Sequence, residues 1–296
     1  MLLEWYQTAF DGLTESYLDR HSHFYRYPAS AYLEPFRIAD GLWYVGDRQV
    51  CVHLIETSDG LILIDSGFFH TNHHLTENIR KIGFQPSDVR WILHTHEHFD
   101  HFGASSEFRS LYGTKTAMSA VGVEAVRSNP RSALMNWSNS VYQEIPVFDY
   151  ALQDQEVFEF GGVRIRCLLT PGHSLGVMSF FFEVTENGER HLAGLFGGVG
   201  TAPMTAGYMK ALDLPMDLSQ RMLASIARLE KEPVSIHLGN HPENNHTLEK
   251  REQQILHGGN PFVDRGSWPM LLQSLREQTE NIIVGNQKIL SEYDCL

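Results

Sequence analysis

The chain has 296 residues, 42% hydrophobic and 20% charged, which supplies apolar material for a real core and excludes a low-complexity or disordered protein. A formal net charge of -13 sets the surface against phosphate backbones and anionic headgroups, so neither nucleic acid nor membrane is an expected partner. Three widely spaced cysteines, Cys51, Cys167 and Cys295, with no CxxC pair, exclude a disulfide framework and a thiolate zinc site.

In chain order, residues 1 to about 30 carry Trp5, Tyr6, Phe10, Leu13, Tyr17 and Leu18 at mixed spacing and read as a helix leading into a loop. This is taken as an N-terminal helical extension over 1–34. The start lacks a basic segment, an apolar run and a small-residue cleavage site, so the expected compartment is the cytoplasm, or the periplasm or exterior if a signal peptide has been removed. From Phe36 the texture turns to β, with runs at 42–45, 51–57 and 61–65 and a Ser58-Asp59-Gly60 turn, predicting an antiparallel meander. A helix follows over 71–82, then a short apolar run at 89–94 that fits a strand buried on both faces. Helices are predicted over 104–111 and 120–128. The aperiodic segment 129–150, with Trp137, Tyr142, Phe148 and Tyr150, reads as a flap or lid.

A second β-rich stretch runs through 156–160, 163–169, 177–184 and 191–196. It is followed by a helix over 217–231, where Leu218, Met222, Ile226 and Leu229 share one face, and a last strand at 234–238. Helices over 244–256 and 267–284 close the chain. Strands then helices, twice over and without a tandem repeat, predict an α+β layered domain with two sheets inside and helices outside. It is placed at 35–265, with a C-terminal helix over 266–296 packed on the same domain.

Histidine is the unusual entry, with 16 residues, several of them clustered. The run His94-Thr95-His96-Glu97-His98-Phe99-Asp100-His101 places three imidazoles and a carboxylate within six residues. Two-residue spacing in extended or looped backbone projects His96 and His98 the same way, so they can grip one ion, while Asp100 and His101 lie further along and can serve a second a few Å away; the alternative is surface histidines, or core histidines satisfied by backbone carbonyls. His94, at the strand end, reads equally as a ligand or as a packing residue or neighbour of the site. His73 and His74 fall on the helix over 71–82 and read as solvated, and His70 and His246 carry no motif.

His-x-His-x-Asp-His after a hydrophobic strand resembles the signature of the metallo-β-lactamase superfamily. Leu63-Ile64-Asp65-Ser66-Gly67 looks like the family's strand ending in Asp-x-Gly, Thr170-Pro171-Gly172-His173-Ser174 like its Pro-Gly-His loop, and Gly239-Asn240-His241-Pro242 like its final histidine loop. The resemblance spans about 35–265 and implies a four-layer αββα sandwich. It also implies a dinuclear zinc hydrolase. His96, His98 and His173 would hold the first zinc and Asp100, His101 and His241 the second, with a bridging water or hydroxide that attacks a lactam or related cyclic acyl bond. Asp100 would also act catalytically, steadying the leaving atom and positioning the water. Asp65 would orient the ligands from behind, although a strand-terminal aspartate also suits a plain turn.

Many members carry a bridging aspartate after a Leu-Phe-x-Gly-Asp run, where this chain reads Leu195-Phe196-Gly197-Gly198-Val199. That absence, the ligand set, Phe36-Arg37-Ile38 and Asn260-Pro261-Phe262-Val263-Asp264 are similar to the third subclass of metallo-β-lactamases. Gly198 departs from that subclass, which commonly has serine there, and so does the 129–150 insertion. The substrate is expected to be a small molecule, with Trp137, Tyr142 and Tyr208 as candidate contacts. Thioester, lactone or phosphoester hydrolysis on the same fold remains open, as does a non-catalytic metal-binding protein. Iron or manganese suits the same ligands, but an iron-dependent oxidoreductase of the flavodiiron kind would have glutamate where this chain has His98.

Overall fold

The computed structural model describes residues 23–24, 27–135 and 143–293. Residues 1–22 of the helix and loop expected over 1 to about 30, together with Trp137, Tyr142 and Cys295, lie outside the described residues. Strands β1 (Phe36–Ala39), β2 (Leu42–Tyr44), β3 (His53–Thr57) and β4 (Gly60–Ile64) form the expected antiparallel meander. The sheet then changes sense: β5 (Val89–Leu93), β6 (Lys115–Ser119) and β7 (Tyr150–Leu152) add in parallel, giving seven strands in sequence order. Parallel neighbours need crossovers, and α1 (Asn72–Lys81) and α2 (Ser105–Tyr112) supply them, while α3 (Ala120–Ser128) follows β6. Ser119 caps α3 by accepting the Gly122 N–H.

The second sheet holds β8 (Val157–Phe160), β9 (Val163–Leu169), β10 (Met178–Glu186), β11 (Glu189–Leu195) and β12 (Ile236–Leu238), in the order β12-β11-β10-β9-β8. Its helices are α4 (Ala206–Ala211), α5 (Leu218–Leu229), α6 (Thr247–His257) and α7 (Ser267–Tyr293).

Period-2 alternation explains the layering, because both faces of the inner strands are apolar. Along β4, Ile62 and Ile64 face the space between the sheets, where Phe180 and Phe182 of β10 meet them, whereas Leu61 and Leu63 face outward onto Leu75 and Ile79 of α1 and Phe108 of α2. On the other side Phe181 turns outward onto Met222 and Ile226 of α5 and Trp268, Leu272 and Leu275 of α7. Each such side chain contributes about 1.5–3 kcal/mol on burial. The result is the four-layer αββα sandwich, fixed by two cores on the outer faces and one between the sheets.

Three elements depart from the expectation. Strand β6, Lys-Thr-Ala-Met-Ser, has only Ala117 and Met118 as apolar residues and no alternation, yet it is buried from Thr116 to Ser119 between two parallel neighbours. Strand β7 is three residues long, and α4 contains Gly207, so neither carries a periodic signal. His74 is buried rather than solvated, because α1 packs that face on Tyr32, whose ring meets the imidazole edge to face at 5.3 Å. No helix among the described residues is long and apolar enough to cross a membrane.

Candidate metal centre

Five strands deliver their C-terminal ends to one place. Strands β4 and β5 are parallel, and the antiparallel pairs β9–β10 and β10–β11 followed by the parallel pair β11–β12 make β9, β11 and β12 point the same way. Their loops carry Asp65, residues 94–101, His173, residues 197–200 and His241 respectively. Strand ends of one sense in two packed sheets are where side chains converge without disturbing either core.

The structure brings the six sequence-predicted ligands together in two groups, His96, His98 and His173, and Asp100, His101 and His241; within each group one potential ligand atom per residue lies within 4.8 Å of the others. In the first group His98 Nδ1 is 3.1 Å from His96 Nε2 and 3.0 Å from His173 Nε2. A tetrahedron of metal–nitrogen bonds about 2.0–2.1 Å long has edges a little over 3 Å, so these three nitrogens fit one zinc-sized ion. In the second, Asp100 Oδ2 lies 3.5 Å from His101 Nε2 and 3.6 Å from His241 Nε2. His101 Nε2 is buried with no hydrogen-bond partner, an orphan that a cation would satisfy. The donor set, five imidazoles and one carboxylate, suits a pair of zinc ions.

The far side of nearly every ring is fixed. His173 Nδ1 donates to the Gly200 carbonyl at 2.7 Å, His241 Nδ1 to the Gln49 carbonyl at 2.7 Å, and His101 Nδ1 to Asp65 Oδ2 at 2.8 Å. The Thr95 hydroxyl donates to Asp65 Oδ2 at 2.8 Å and therefore accepts from His96 Nδ1 at 3.0 Å. In all four rings the N–H is spent outward and the Nε2 lone pair faces the centre, which is the tautomer a metal needs. Asp65 also accepts the Thr95 N–H at 2.7 Å, so one buried carboxylate braces a ring of each group. It does so from a left-handed backbone, φ 62°, which an aspartate adopts at a cost and which marks this strand end as more than an ordinary turn.

Burial holds His96 and His98 well below the usual imidazole range, reinforced by the neighbouring rings, and burial lowers His173 to about 4. These three rings are neutral, and ready to ligate, at any pH near neutrality. Burial pushes the Asp100 carboxyl up, but His101 and His241 outweigh it and leave it below its ordinary value.

Other expectations resolve differently. His94 is not in either group: its Nδ1 meets the Ala117 carbonyl and its Nε2 the Ser105 hydroxyl, and it is fully buried. Tyr208, expected near substrate, is buried with Phe68, Phe99, Phe102 and Leu134, because α4 packs its tyrosine inward. The 129–150 segment is fastened to the ligand loop from both sides, since the Phe99 N–H donates to the Ala133 carbonyl at 2.9 Å and Gln143 Nε2 donates to the Phe99 carbonyl at 2.7 Å. Sequence reasoning singled out Gly198 for its missing serine but missed what Gly198 and Gly200 do beside His173. A Cβ on Gly198 would stand 3.0 Å from His173 Cδ2, and one on Gly200 2.9 Å from Cε1, so the two clasp opposite edges of the ring. The paired glycines of Gly197-Gly198-Val199-Gly200 are the signal that was there to be read.

A family model described as the metallo-beta-lactamase superfamily matches residues 45–186. The chain is similar to an N-acyl homoserine lactonase of Bacillus thuringiensis, 25% identical over 162 residues that cover 47% of this chain and 60% of that protein. It thus spans 60% of the length of these lactonases. A native metallo-beta-lactamase from Legionella gormanii superimposes with a TM-score of 0.78 at 26% identity, covering 86% of this chain and 97% of that one. A subclass B3 metallo-beta-lactamase of Bradyrhizobium japonicum does so with a TM-score of 0.73 at 25% identity, covering 88% and 97%.

Proposed function

We propose that the chain is a hydrolase of the metallo-beta-lactamase superfamily and that it opens a cyclic acyl bond, a lactam or a lactone, at a pair of zinc ions held by His96, His98 and His173 and by Asp100, His101 and His241. The observation that carries this reading is the pair of three-residue groups with their lone pairs turned inward. Zinc bound there would supply water acidified to near neutrality and a Lewis acid for the carbonyl oxygen.

The protein's own residues do the rest. Asp65 and Thr95 lock His96 and His101 in the ligating tautomer, so no ring has to reorganise during the reaction. Asp100 presents Oδ2 to His101 and His241, and its carboxylate would take a proton from the attacking water and return it to the leaving nitrogen or oxygen. The serines nearest the ligands are engaged elsewhere: Ser174 donates to Glu97, and Ser66 shares its hydroxyl with Ser105. On this reading water is the nucleophile and no side-chain nucleophile is required. Kinship with proteins named lactonase and with others named β-lactamase supports a cyclic acyl substrate in common, without choosing between ring nitrogen and ring oxygen.

The test is turnover of a chromogenic cephalosporin and of an N-acyl homoserine lactone by zinc-loaded protein, with metal-stripped protein and His98→Ala as controls. Zinc-dependent opening of either ring, lost in both controls, is the expected result; two bound metals with neither ring opened would sink the cyclic-acyl reading and leave the metal centre standing.

A further inference from the structure

Along 95–98 the side chains alternate in task. His96 and His98 face the centre, whereas Thr95 and Glu97 turn into the scaffold. Thr95 reaches Asp65 of the first sheet. Glu97 reaches the opposite half of the molecule. It is 1% exposed, its Oε2 accepts the Ser174 hydroxyl at 2.8 Å, and its Oε1 accepts the Gly176 N–H at 3.3 Å. Ser174 and Gly176 follow His173 directly. The Gly176 carbonyl in turn accepts the Ser119 hydroxyl at 2.6 Å, and a Cβ on Gly176 would stand 2.5 Å from Glu97 Oε2 and 2.4 Å from Gly122 Cα. The loop is pressed against the carboxylate with no room for a side chain. A buried carboxylate is costly unless its hydrogen bonds have a use that an apolar residue would not serve.

We propose that Glu97 is a positioning residue, a strap that ties the loop bearing His173 to the loop bearing His96 and His98 and so sets the spacing of the three-histidine group. The inference rests on reading that group as a metal site. His98 Nδ1 is the atom common to both short nitrogen contacts, and Glu97 is its immediate neighbour in the chain. The two loops come from different sheets, 75 residues apart between His98 and His173; the Met178 N–H donates to the Thr95 carbonyl at 2.7 Å, and the Glu97 bonds add a tie nearer to His98 and His173. Glu97 acts through the loops and touches neither substrate nor ion.

Stepwise titration of metal-free protein with Co2+ tests this, with His173→Ala and His241→Ala used to assign each binding step to the three-histidine site or to the Asp100, His101, His241 site. In Glu97→Gln the first-site affinity is expected to fall about 10–100-fold, the range for residues that orient ligands, while the second-site affinity holds within a few-fold. The ratio of the two is a readout that general destabilisation does not move. Ser174→Ala removes one bond to the same carboxylate oxygen and is the variant to use if Glu97→Gln does not fold; a smaller drop in the same ratio is expected. An unchanged ratio in the variant that folds, with wild type binding two ions, overturns the role of Glu97 but leaves the proposed hydrolase intact. Failure of wild type to bind Co2+ at all overturns both.

Discussion

The two halves of the metal centre are built in contrasting ways. Residues 96–101 supply four of six candidate ligands from one tight loop after β5, where backbone connectivity alone keeps them close. His173 and His241 come singly from loops of the second sheet, and each is held by contacts to distant chain: Gly200 and the Glu97 strap for His173, and the Gln49 carbonyl, 192 residues away, for His241. A ligand set can thus be half local and half long-range. The local half is robust to changes elsewhere, and the long-range half depends on scaffold residues that never meet the ion.

The largest effect expected is from His98→Ala, which removes the nitrogen shared by both short contacts of the first group: kcat/KM for the ring-opening reaction should fall by about 1,000-fold or more, with the first metal lost by elemental analysis. Asp65→Asn blurs the contrast, because this carboxylate braces one ring in each group. It should lower affinity for both ions by about 10–100-fold, and a loss confined to one ion would show that the bracing is one-sided. Gly200→Ala probes the long-range half alone. Its Cβ would press on His173 Cε1 at 2.9 Å, so the three-histidine site should weaken by about tenfold, at about 1–3 kcal/mol of strain, with the other site unaffected. Wild-type affinity at both sites would mean that the 197–200 loop yields more readily than the contrast requires.

The smallest effect on the centre itself is one of pH, because it acts on the stability of the whole fold through histidines outside the centre. Burial lowers His53 to about 4 and His237 to about 3, both below the value of about 6.5 for an unfolded histidine. As the pH falls below about 6.5 the unfolded chain takes protons that the folded one refuses. The stabilisation is therefore complete above that value and is lost on descending towards pH 4, by up to about 1.4 kcal/mol per pH unit for each residue. The melting temperature of metal-free protein should decline through this window, the buried rings of His96, His98 and His173 acting in the same direction, and a smaller decline is expected in His237→Asn; a flat profile from pH 7 to 5 would show that these rings charge without unfolding.

How much of this was open to sequence reading follows the same division. The local loop announced itself, as did β4, β5, β9 and α3, whose apolar period or capping residue is strong. Strand β6 did not, because its burial comes from neighbours on both sides rather than from its own hydrophobicity. His173 and His241 were placed through family resemblance, since a lone histidine in a loop has no spacing to betray it. The tasks of Glu97, Gly198 and Gly200 depend on loops that approach only after both sheets have docked, and no local pattern encodes that.

The bond from His241 to the Gln49 carbonyl also bears on how the molecule is made. A ribosome delivers residues in order, so His96, His98, Asp100 and His101 are exposed to solvent long before the last ligand is synthesised. A cation caught by the nascent chain at that stage has at most two partners per position and exchanges freely. Closing a contact across 192 residues is slow, as contacts of high sequence separation are, and it completes the second position only when the C-terminal sheet has joined the first. Tight metal retention would then report the final step of folding, and release of metal during unfolding would be among the earliest signs that the two halves have parted.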